Sequence, residues 1–241
     1  MAVYDPSRGA VTVRVVYDGL GTAGKTTNIR QIHALFTLAR QGDVVVPEEH
    51  RGRTLFFDWL ELDAGYVDEH RLRMQVLTVP GQFVYAPRRW ALLRDPDAVV
   101  EVCDSSPAGV ERSRYAMRFL RALLARQGSD VPVIVQANKQ DVPGALSGEA
   151  LRAALELDAD ARVVEATAHD GGGVRSTLVF ALLAARERAR AQIARVGVGG
   201  LPRVTESAEE IYARMRAVEE AGGLEEGAAI VESLLREDAA G

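Results

Sequence analysis

The chain has 241 residues, of which 47% are hydrophobic and 26% are charged, a composition typical of a globular domain with an appendage. It contains no run of about 18 apolar residues, so we expect no integral membrane segment, and its formal net charge of −5 gives no expectation of a nucleic-acid partner. Cys103 is the only cysteine, which excludes a disulfide within the chain, and the cytoplasm is the expected location.

The first predicted elements are a strand near residues 11–17 and a helix near 25–40, and the segment between them matches G-x-x-x-x-G-K-[ST]. In this phosphate-binding loop, backbone N–H groups and the helix N-terminus face phosphate oxygens. Lys25 is placed to reach the β- and γ-phosphates, and the Thr26 hydroxyl to bind Mg²⁺. The alternative is a glycine turn with an exposed lysine. The predicted nucleotide-binding residues here are Gly19, Gly21, Thr22, Ala23, Gly24, Lys25, Thr26 and Thr27.

Two segments then carry candidate switch residues. Thr54 precedes an apolar run near 54–60, and Gly81 and Gln82 follow another near 72–79, with a helix expected near 86–94. A threonine of this kind binds Mg²⁺ when the γ-phosphate is present, a glycine N–H holds that phosphate, and a glutamine orients the attacking water. Thr54, Gly81 and Gln82 fit these three roles.

The base-recognition motif comes after strands predicted near 98–103 and 131–137. Asn138, Lys139 and Asp141 form N-K-x-D. Asp141 would accept hydrogen bonds from N1–H and the 2-amino group of guanine, whereas adenine has no donor at either place. Asn138 would tie the loop together, and the stem of Lys139 would cover the base. The pair of a phosphate loop and N-K-x-D predicts guanine nucleotides.

A shorter signal follows the strand predicted near 162–166. Ala166 and Thr167 lie in a Glu-Ala-Thr segment, where the Ala166 N–H is expected to meet guanine O6. Without the other motifs, this segment would be interpreted as an ordinary strand-to-helix turn.

The last part of the chain differs in composition. Residues 196–204 are rich in glycine and predict a linker, and Ser207 with Glu210 forms a capping-box pattern. Residues 205–241 hold ten acidic and three basic side chains, and they predict a helical extension that nucleotide binding does not need. Its apolar faces should dock on the domain or on a partner, with self-inhibition as an alternative role. These faces carry Ile211, Met215, Val231 and Leu235.

Three stretches resemble the mutual gliding-motility protein A (MglA) family of bacterial Ras-like GTPases. They are Gly-Lys-Thr-Thr-Asn at 24–28, Arg-Thr-Leu-Phe-Phe-Asp at 53–58 and Thr-Val-Pro-Gly-Gln at 78–82. The resemblance implies a GTP/GDP switch in cell polarity or motility and a roadblock-domain partner that activates hydrolysis. It also implies that Arg53 and Gln82 support catalysis, Arg53 by offsetting charge on the phosphoryl oxygens.

One position departs from Ras. Thr78 stands where most GTPases have an aspartate that holds Mg²⁺ through water. Thr26 and Thr54 then remain as the obvious protein ligands, so we expect weaker metal retention than in an aspartate-bearing GTPase.

The strands and helices alternate, with further helices expected near 108–127, 147–156 and 173–194. This order predicts an α/β P-loop fold, a Ras-like G domain with a six-stranded, mainly parallel sheet flanked by helices. Turn residues at 63–70 predict a hairpin between the second and third strands. The phosphate loop, the segment with Gly81 and Gln82, N-K-x-D and the Glu-Ala-Thr segment follow the first, third, fifth and sixth strands, so they share the carboxyl edge of the sheet. The expected division is a GTPase domain at 1–195, a linker at 196–204 and a C-terminal helical extension at 205–241.

The predicted function is a small GTPase that binds GTP and GDP with Mg²⁺ and hydrolyses GTP. The alternative is a GTP-dependent scaffold with negligible turnover, and single-turnover hydrolysis would separate the two. A nucleotide kinase is disfavoured because the sequence shows no arginine-rich lid and does carry N-K-x-D. No motif identifies an effector, and the resemblance adds the cell poles as an alternative location.

Overall fold

A computed structural model describes residues 1–39, 44, 49–50, 53–54, 57–79, 89, 91–203 and 206–220. Its main sheet has the strand order β5-β6-β2-β7-β8-β9, in which only β5 is antiparallel to its neighbour. These strands are β2 (Ala10–Asp18), β5 (Trp59–Val67), β6 (His70–Thr78), β7 (Ala98–Asp104), β8 (Val133–Asn138) and β9 (Arg162–Glu165). The predicted six-stranded, mainly parallel sheet is therefore confirmed. A short strand missed in the sequence, β1 (Val3–Asp5), adds antiparallel to the start of β2.

The hairpin formed by β5 and β6 is longer than predicted. Residues 63–67, expected to be part of the turn, belong to β5, and the turn itself is Asp68 and Glu69. The register shifts between Asp63 and Tyr66, which indicates a β-bulge. A bulge can accommodate residues that are typical of turns. Here it includes Gly65, which has a positive φ.

Helices cover both faces of the sheet and bury three apolar clusters in the described part of the chain. They are α1 (Lys25–Leu35), α2 (Val110–Arg126), α3 (Gly148–Ala154), α4 (Val174–Val196) and α5 (Ala208–Glu220). The helix α1 is shorter than the predicted 25–40. In the described part of the chain, no helix is long and apolar enough to cross a membrane.

The residues that follow α4 are held against the domain as far as Pro202. A short 3₁₀ turn forms over Val198–Gly200, Leu201 is buried, and the Pro202 carbonyl accepts a hydrogen bond of 2.8 Å from the Tyr4 N–H. The predicted capping box at the start of α5 is confirmed, because Ser207 and Glu210 exchange side chain-to-backbone hydrogen bonds.

The helix α5 docks on the domain, as predicted for this face. Ile211 and Met215 are fully buried in the cluster that also holds Phe119 and Leu123 of α2. Val231 and Leu235 lie outside the described residues.

Candidate functional site

The loop between β2 and α1 has the backbone geometry that its motif requires. Gly19 and Gly24 have φ values of +133° and +109°, in the region that favours glycine. A Cβ at Gly19 would collide with the Val102 carbonyl, and a Cβ at Gly24 would collide with the Asn138 amide. The loop therefore packs directly on β7 and on the base motif, and glycine is required at both points.

Lys25 is held at the centre of this loop. Its ammonium donates hydrogen bonds to the carbonyls of Gly19 and Leu20, at 2.7 and 2.8 Å. Burial lowers the pKa of Lys25 to about 8, so the amine remains largely protonated at neutral pH. An ammonium has three donors, and two of them are occupied by these carbonyls. A phosphate oxygen is the natural acceptor for the third.

Asn138 joins the phosphate loop to the base side of the site. Its Nδ2 donates to the Ala23 carbonyl at 2.7 Å, and its Oδ1 accepts from the Ala168 N–H at 2.9 Å. Asn138 is buried at the end of β8, so both contacts are shielded from water. The predicted role of Asn138 in tying the loop together agrees with this geometry.

The remaining base residues line a more open surface. Asp141 is about half exposed, and its Oδ2 lies 3.9 Å from the Nδ1 of His169. The Lys139 ammonium donates to Oδ2 of Asp104 at 2.7 Å, which fixes the lysine stem beside the base position. Burial acts to raise the pKa of Asp104, but hydrogen bonds from Lys139 and Ser106 outweigh it and lower that pKa. Sequence reasoning missed Asp104, although it ends a predicted strand at the motif-bearing edge.

The structure corrects the assignment of Ala166. Its N–H donates to the Ala137 carbonyl at 2.9 Å, so it belongs to the pairing of β8 with the end of β9 and is not directed at guanine O6. The turn that faces the base begins one residue later, at Thr167, whose N–H bonds the Gly172 carbonyl. The Ala168 N–H is bonded to Oδ1 of Asn138, which ties this turn to the base-recognition motif.

The metal side of the site contains a carboxylate that sequence reasoning overlooked. Oδ2 of Asp58 accepts hydrogen bonds from the hydroxyls of Thr26, at 2.8 Å, and Thr78, at 2.9 Å. The Asp58 N–H in turn donates to the Thr78 hydroxyl at 2.8 Å. Asp58 is buried and immediately precedes β5, opposite Thr78 at the end of β6.

Asp58 places a buried carboxylate on the neighbouring strand beside position 78, and its Oδ2 is held between the hydroxyls of Thr78 and Thr26. A hydroxyl and a carboxylate are the hard oxygen donors that suit Mg²⁺, which usually binds one or two carboxylates together with substrate phosphates. The weaker metal retention expected from Thr78 stays a prediction, and Asp58 is a further candidate ligand that it did not consider.

The predicted switch residues are placed only in part. The backbone of Arg53–Thr54 forms the short strand β4, which pairs antiparallel with β3 (Glu49–His50) in a separate two-stranded sheet. The Arg53 and Thr54 side chains, and all of Gly81 and Gln82, lie outside the described residues. Their assigned roles stay predictions.

A buried group of charged side chains lies beneath the phosphate loop. The Arg89 guanidinium donates to Oδ2 of Asp18 at 2.6 Å and stacks 4.5 Å from the centre of the Phe119 ring. Glu101 is fully buried nearby, and neither of its carboxylate oxygens has a hydrogen-bond partner within the described part of the chain. Burial, with the charge of Asp18, raises the pKa of Glu101 well above its usual range. The sequence signal that could have identified Glu101 is the presence of a charged residue within the otherwise apolar run 98–103.

Cys103, in the same strand as Glu101, is a buried free cysteine. Burial raises the pKa of its thiol well above the usual range, so a thiolate nucleophile is strongly disfavoured there.

The fold and the linked loops define the class of this protein as a Ras-like P-loop G domain. Comparison with known proteins gives the family: a model of the ADP-ribosylation factor family matches residues 7–180. Mutual gliding-motility protein MglA from Myxococcus xanthus (strain DK1622) is 35% identical over 181 residues, 74% of this chain and 92% of that protein. The chain belongs to the ADP-ribosylation factor family of GTP-binding switches and is an MglA-like small GTPase.

Two more distant similarities agree with this assignment. ADP-ribosylation factor 1 from Brassica rapa subsp. pekinensis is 30% identical over 152 residues, 62% of this chain and 72% of that protein. The Arl6 (BBS3) small GTPase from Trypanosoma brucei, solved with the bound nucleotide analogue GppNp, superposes with a TM-score of 0.55. It is 23% identical and the match covers 73% of this chain and 99% of that chain, which supports the fold.

Proposed function

We propose that this protein binds GTP and GDP with Mg²⁺, hydrolyses GTP and acts as a molecular switch in bacterial cell polarity or gliding motility. The observation that carries the nucleotide part is the double contact of Asn138 with Ala23 and Ala168. It joins the phosphate loop and the base-recognition loops into one crevice at the carboxyl edge of the sheet, where α/β proteins bind their ligands.

In this proposal each part of the crevice has one task. Lys25 and the backbone N–H groups of residues 19–26 bind the phosphates, and Asp141 selects guanine. Thr26 and Asp58 hold the Mg²⁺, which neutralises charge on the phosphates when bound, with Thr54 completing the set from the switch. Gln82 orients the attacking water, and the Arg53 guanidinium offsets the charge that spreads over the transferred phosphoryl group.

Base selection can be tested by changing the one carboxylate assigned to guanine. The substitution Asp141→Asn replaces an acceptor with a group that also donates, so we expect it to weaken GDP binding and favour xanthosine diphosphate. A hydrogen-bonding group left unmatched in the bound state costs about 1–3 kcal/mol, which corresponds to roughly 5- to 150-fold in preference. Competition titrations against a fluorescent guanine nucleotide would measure it.

The matched control is Asp170→Asn, on the neighbouring turn, where the carboxylate bonds the Gly172 N–H. It should keep the preference for guanine. Equal affinity of the unmodified protein for ATP and GTP would contradict the assignment of the base site.

Metal binding can be tested at Asp58. The substitution Asp58→Asn keeps the shape of the side chain but removes its charge. We therefore expect a rise of about 10-fold or more in the Mg²⁺ concentration at which GDP release is slowed to half its metal-free rate. The measurement is the release rate of a fluorescent GDP analogue over a Mg²⁺ titration. Asp63→Asn, at a half-exposed site on β5, is the control. An unchanged Mg²⁺ midpoint in Asp58→Asn would remove this carboxylate from the metal site.

The cellular part of the proposal rests on the similarity to the Myxococcus xanthus protein MglA, whose name refers to gliding motility. It includes a roadblock-domain activator as partner and a cytoplasmic location, with the cell poles as the place of action. A pull-down from native cytosol with GTP- and GDP-loaded protein tests it. Capture of a roadblock-domain protein from the GTP sample alone would support the proposal, and no difference between the two samples would count against it.

A further inference from the structure

The C-terminal helix α5 lies beyond residues 7–180, the range that the family model matches. It contacts the segment that follows Gly81 and Gln82, the second candidate switch segment, here called switch II. That segment contains the helical residues Arg89, Ala91 and Leu92, here called the switch-II turn. The guanidinium of Arg214 on α5 donates a hydrogen bond of 2.8 Å to the Ala91 carbonyl. Carbonyls in the last turn of a helix lack intrahelical donors, and a cation there is also favoured by the helix dipole.

Arg214 is itself fixed by a set of polar contacts. Glu206 accepts from two nitrogens of Arg214, at 2.7 and 3.1 Å, in a bidentate arrangement. The second Glu206 oxygen also accepts from Arg14 on β2 at 3.2 Å, and the Glu206 carbonyl accepts from Gln75 on β6 at 2.9 Å. The guanidinium is therefore held at two sides and directed at Ala91, which favours a defined contact over a transient surface pair.

Apolar packing adds a second connection between α5 and the same segment. Ile211 and Met215 share one buried cluster with Leu92 and Leu93. The contact thus combines a charged hydrogen bond to the backbone with buried side chains, and the loss of either part should loosen the other.

The switch-II turn is also connected to the nucleotide site. Arg89 pairs with Asp18, the last residue of β2, and Gly19 of the phosphate loop follows directly. The turn therefore contacts α5 through Ala91 and the residue before the phosphate loop through Arg89. The Leu93 N–H also bonds the Arg89 carbonyl at 2.9 Å, so a change at Arg214 can reach the loop through this turn and the Arg89–Asp18 pair.

We propose that α5 positions switch II through Arg214 and thereby slows the release of bound nucleotide. The proposal rests on the proposed function, since it concerns the regulation of the same guanine-nucleotide site. Arg214 is a positioning residue, because it acts through the switch-II turn and Arg89 and touches no part of the predicted ligand. The extension 205–241 then sets the rate at which bound nucleotide is released, and it leaves the ability to bind nucleotide intact.

The test is the release rate of a fluorescent GDP analogue from the full chain carrying Arg214→Ala. We expect release to be about fivefold faster, the factor that a single lost hydrogen bond in this setting provides. Arg216→Ala is the matched control, because Arg216 is exposed on the same helix and pairs only with Glu220 among the described contacts. Arg214→Lys keeps a charged donor at this position. Its increase in release rate over the unmodified protein should therefore be at most half of that in Arg214→Ala.

Hydrogen exchange separates positioning from a general loss of stability. In Arg214→Ala we expect faster exchange confined to residues 88–94 and to α5, with α2 and β7 unchanged. Equal release rates in Arg214→Ala and Arg216→Ala would overturn the proposal, as would faster exchange spread evenly over α2 and β7. If the unmodified protein retains no guanine nucleotide, the proposed function fails. In that case hydrogen exchange at residues 88–94 still decides whether Arg214 positions the switch-II turn.

Discussion

Replacing Lys25 with alanine is expected to weaken the binding of GDP and GTP by about 10²–10⁴-fold, since removing one partner of a buried charge contact costs about 3–5 kcal/mol. The ammonium is the only charged donor that the described part of the phosphate loop offers, and it also bonds the carbonyls of Gly19 and Leu20. Its loss therefore removes the charge that meets the phosphates and a contact that shapes the loop. Equilibrium titration with fluorescent GDP and GTP analogues measures the effect.

The control is Arg30→Ala, which removes one positive charge from the exposed side of the same helix. Its affinity should be close to that of the unmodified protein. A melting curve of Lys25→Ala is also needed, because the buried carboxylates of Asp18 and Glu101 lose a neighbouring cation. A folded Lys25→Ala protein that keeps full GTP affinity would contradict the phosphate-loop assignment.

The parts of the site that sequence reasoning identified are short, contiguous motifs. Residues 19–26 and the N-K-x-D segment each follow one buried strand, so their position at the carboxyl edge follows from the fold alone. Asn138 could be assigned its tying role for the same reason, because both of its partners lie in loops at that edge.

Asp58 could not be found in this way, because its role depends on pairing between two strands. Asp58 and Thr78 are twenty residues apart in sequence, and the antiparallel register of β5 and β6 brings them together. The bulge between Asp63 and Tyr66 lies within the same hairpin, so turn residues in the sequence gave no reliable register.

The same limit applies to Ala166 and to α5. Sequence spacing cannot tell the last paired residue of a strand from the first residue of a loop, and Ala166 is still paired with Ala137. For α5 the apolar spacing identified Ile211 and Met215 as a docking face, yet it carried no information on the surface they meet. The contact of Arg214 with Ala91 joins residues 123 positions apart, beyond what a local pattern can predict.

The hydrolysis step gives the largest expected effect. Replacing Arg53 with alanine should lower partner-stimulated GTP hydrolysis about 10³-fold or more, the range over which an arginine of this kind acts. GTP binding should stay nearly intact, because the guanidinium is needed where negative charge develops on the phosphoryl oxygens, and that charge is greatest in the transition state. Single-turnover hydrolysis with and without the proposed roadblock-domain activator is the measurement.

Arg51→Ala is the matched control for this prediction, since it removes an arginine two positions earlier in the same segment. Gln82→Leu should lower both basal and stimulated hydrolysis, because a glutamine that orients water acts in either case, whereas Arg53→Ala should act mainly on the stimulated rate. Stimulated hydrolysis that is unchanged in Arg53→Ala would remove Arg53 from the mechanism. Turnover that is negligible in the unmodified protein, even with the activator, would instead favour a GTP-dependent scaffold, in which the bound state itself is the output.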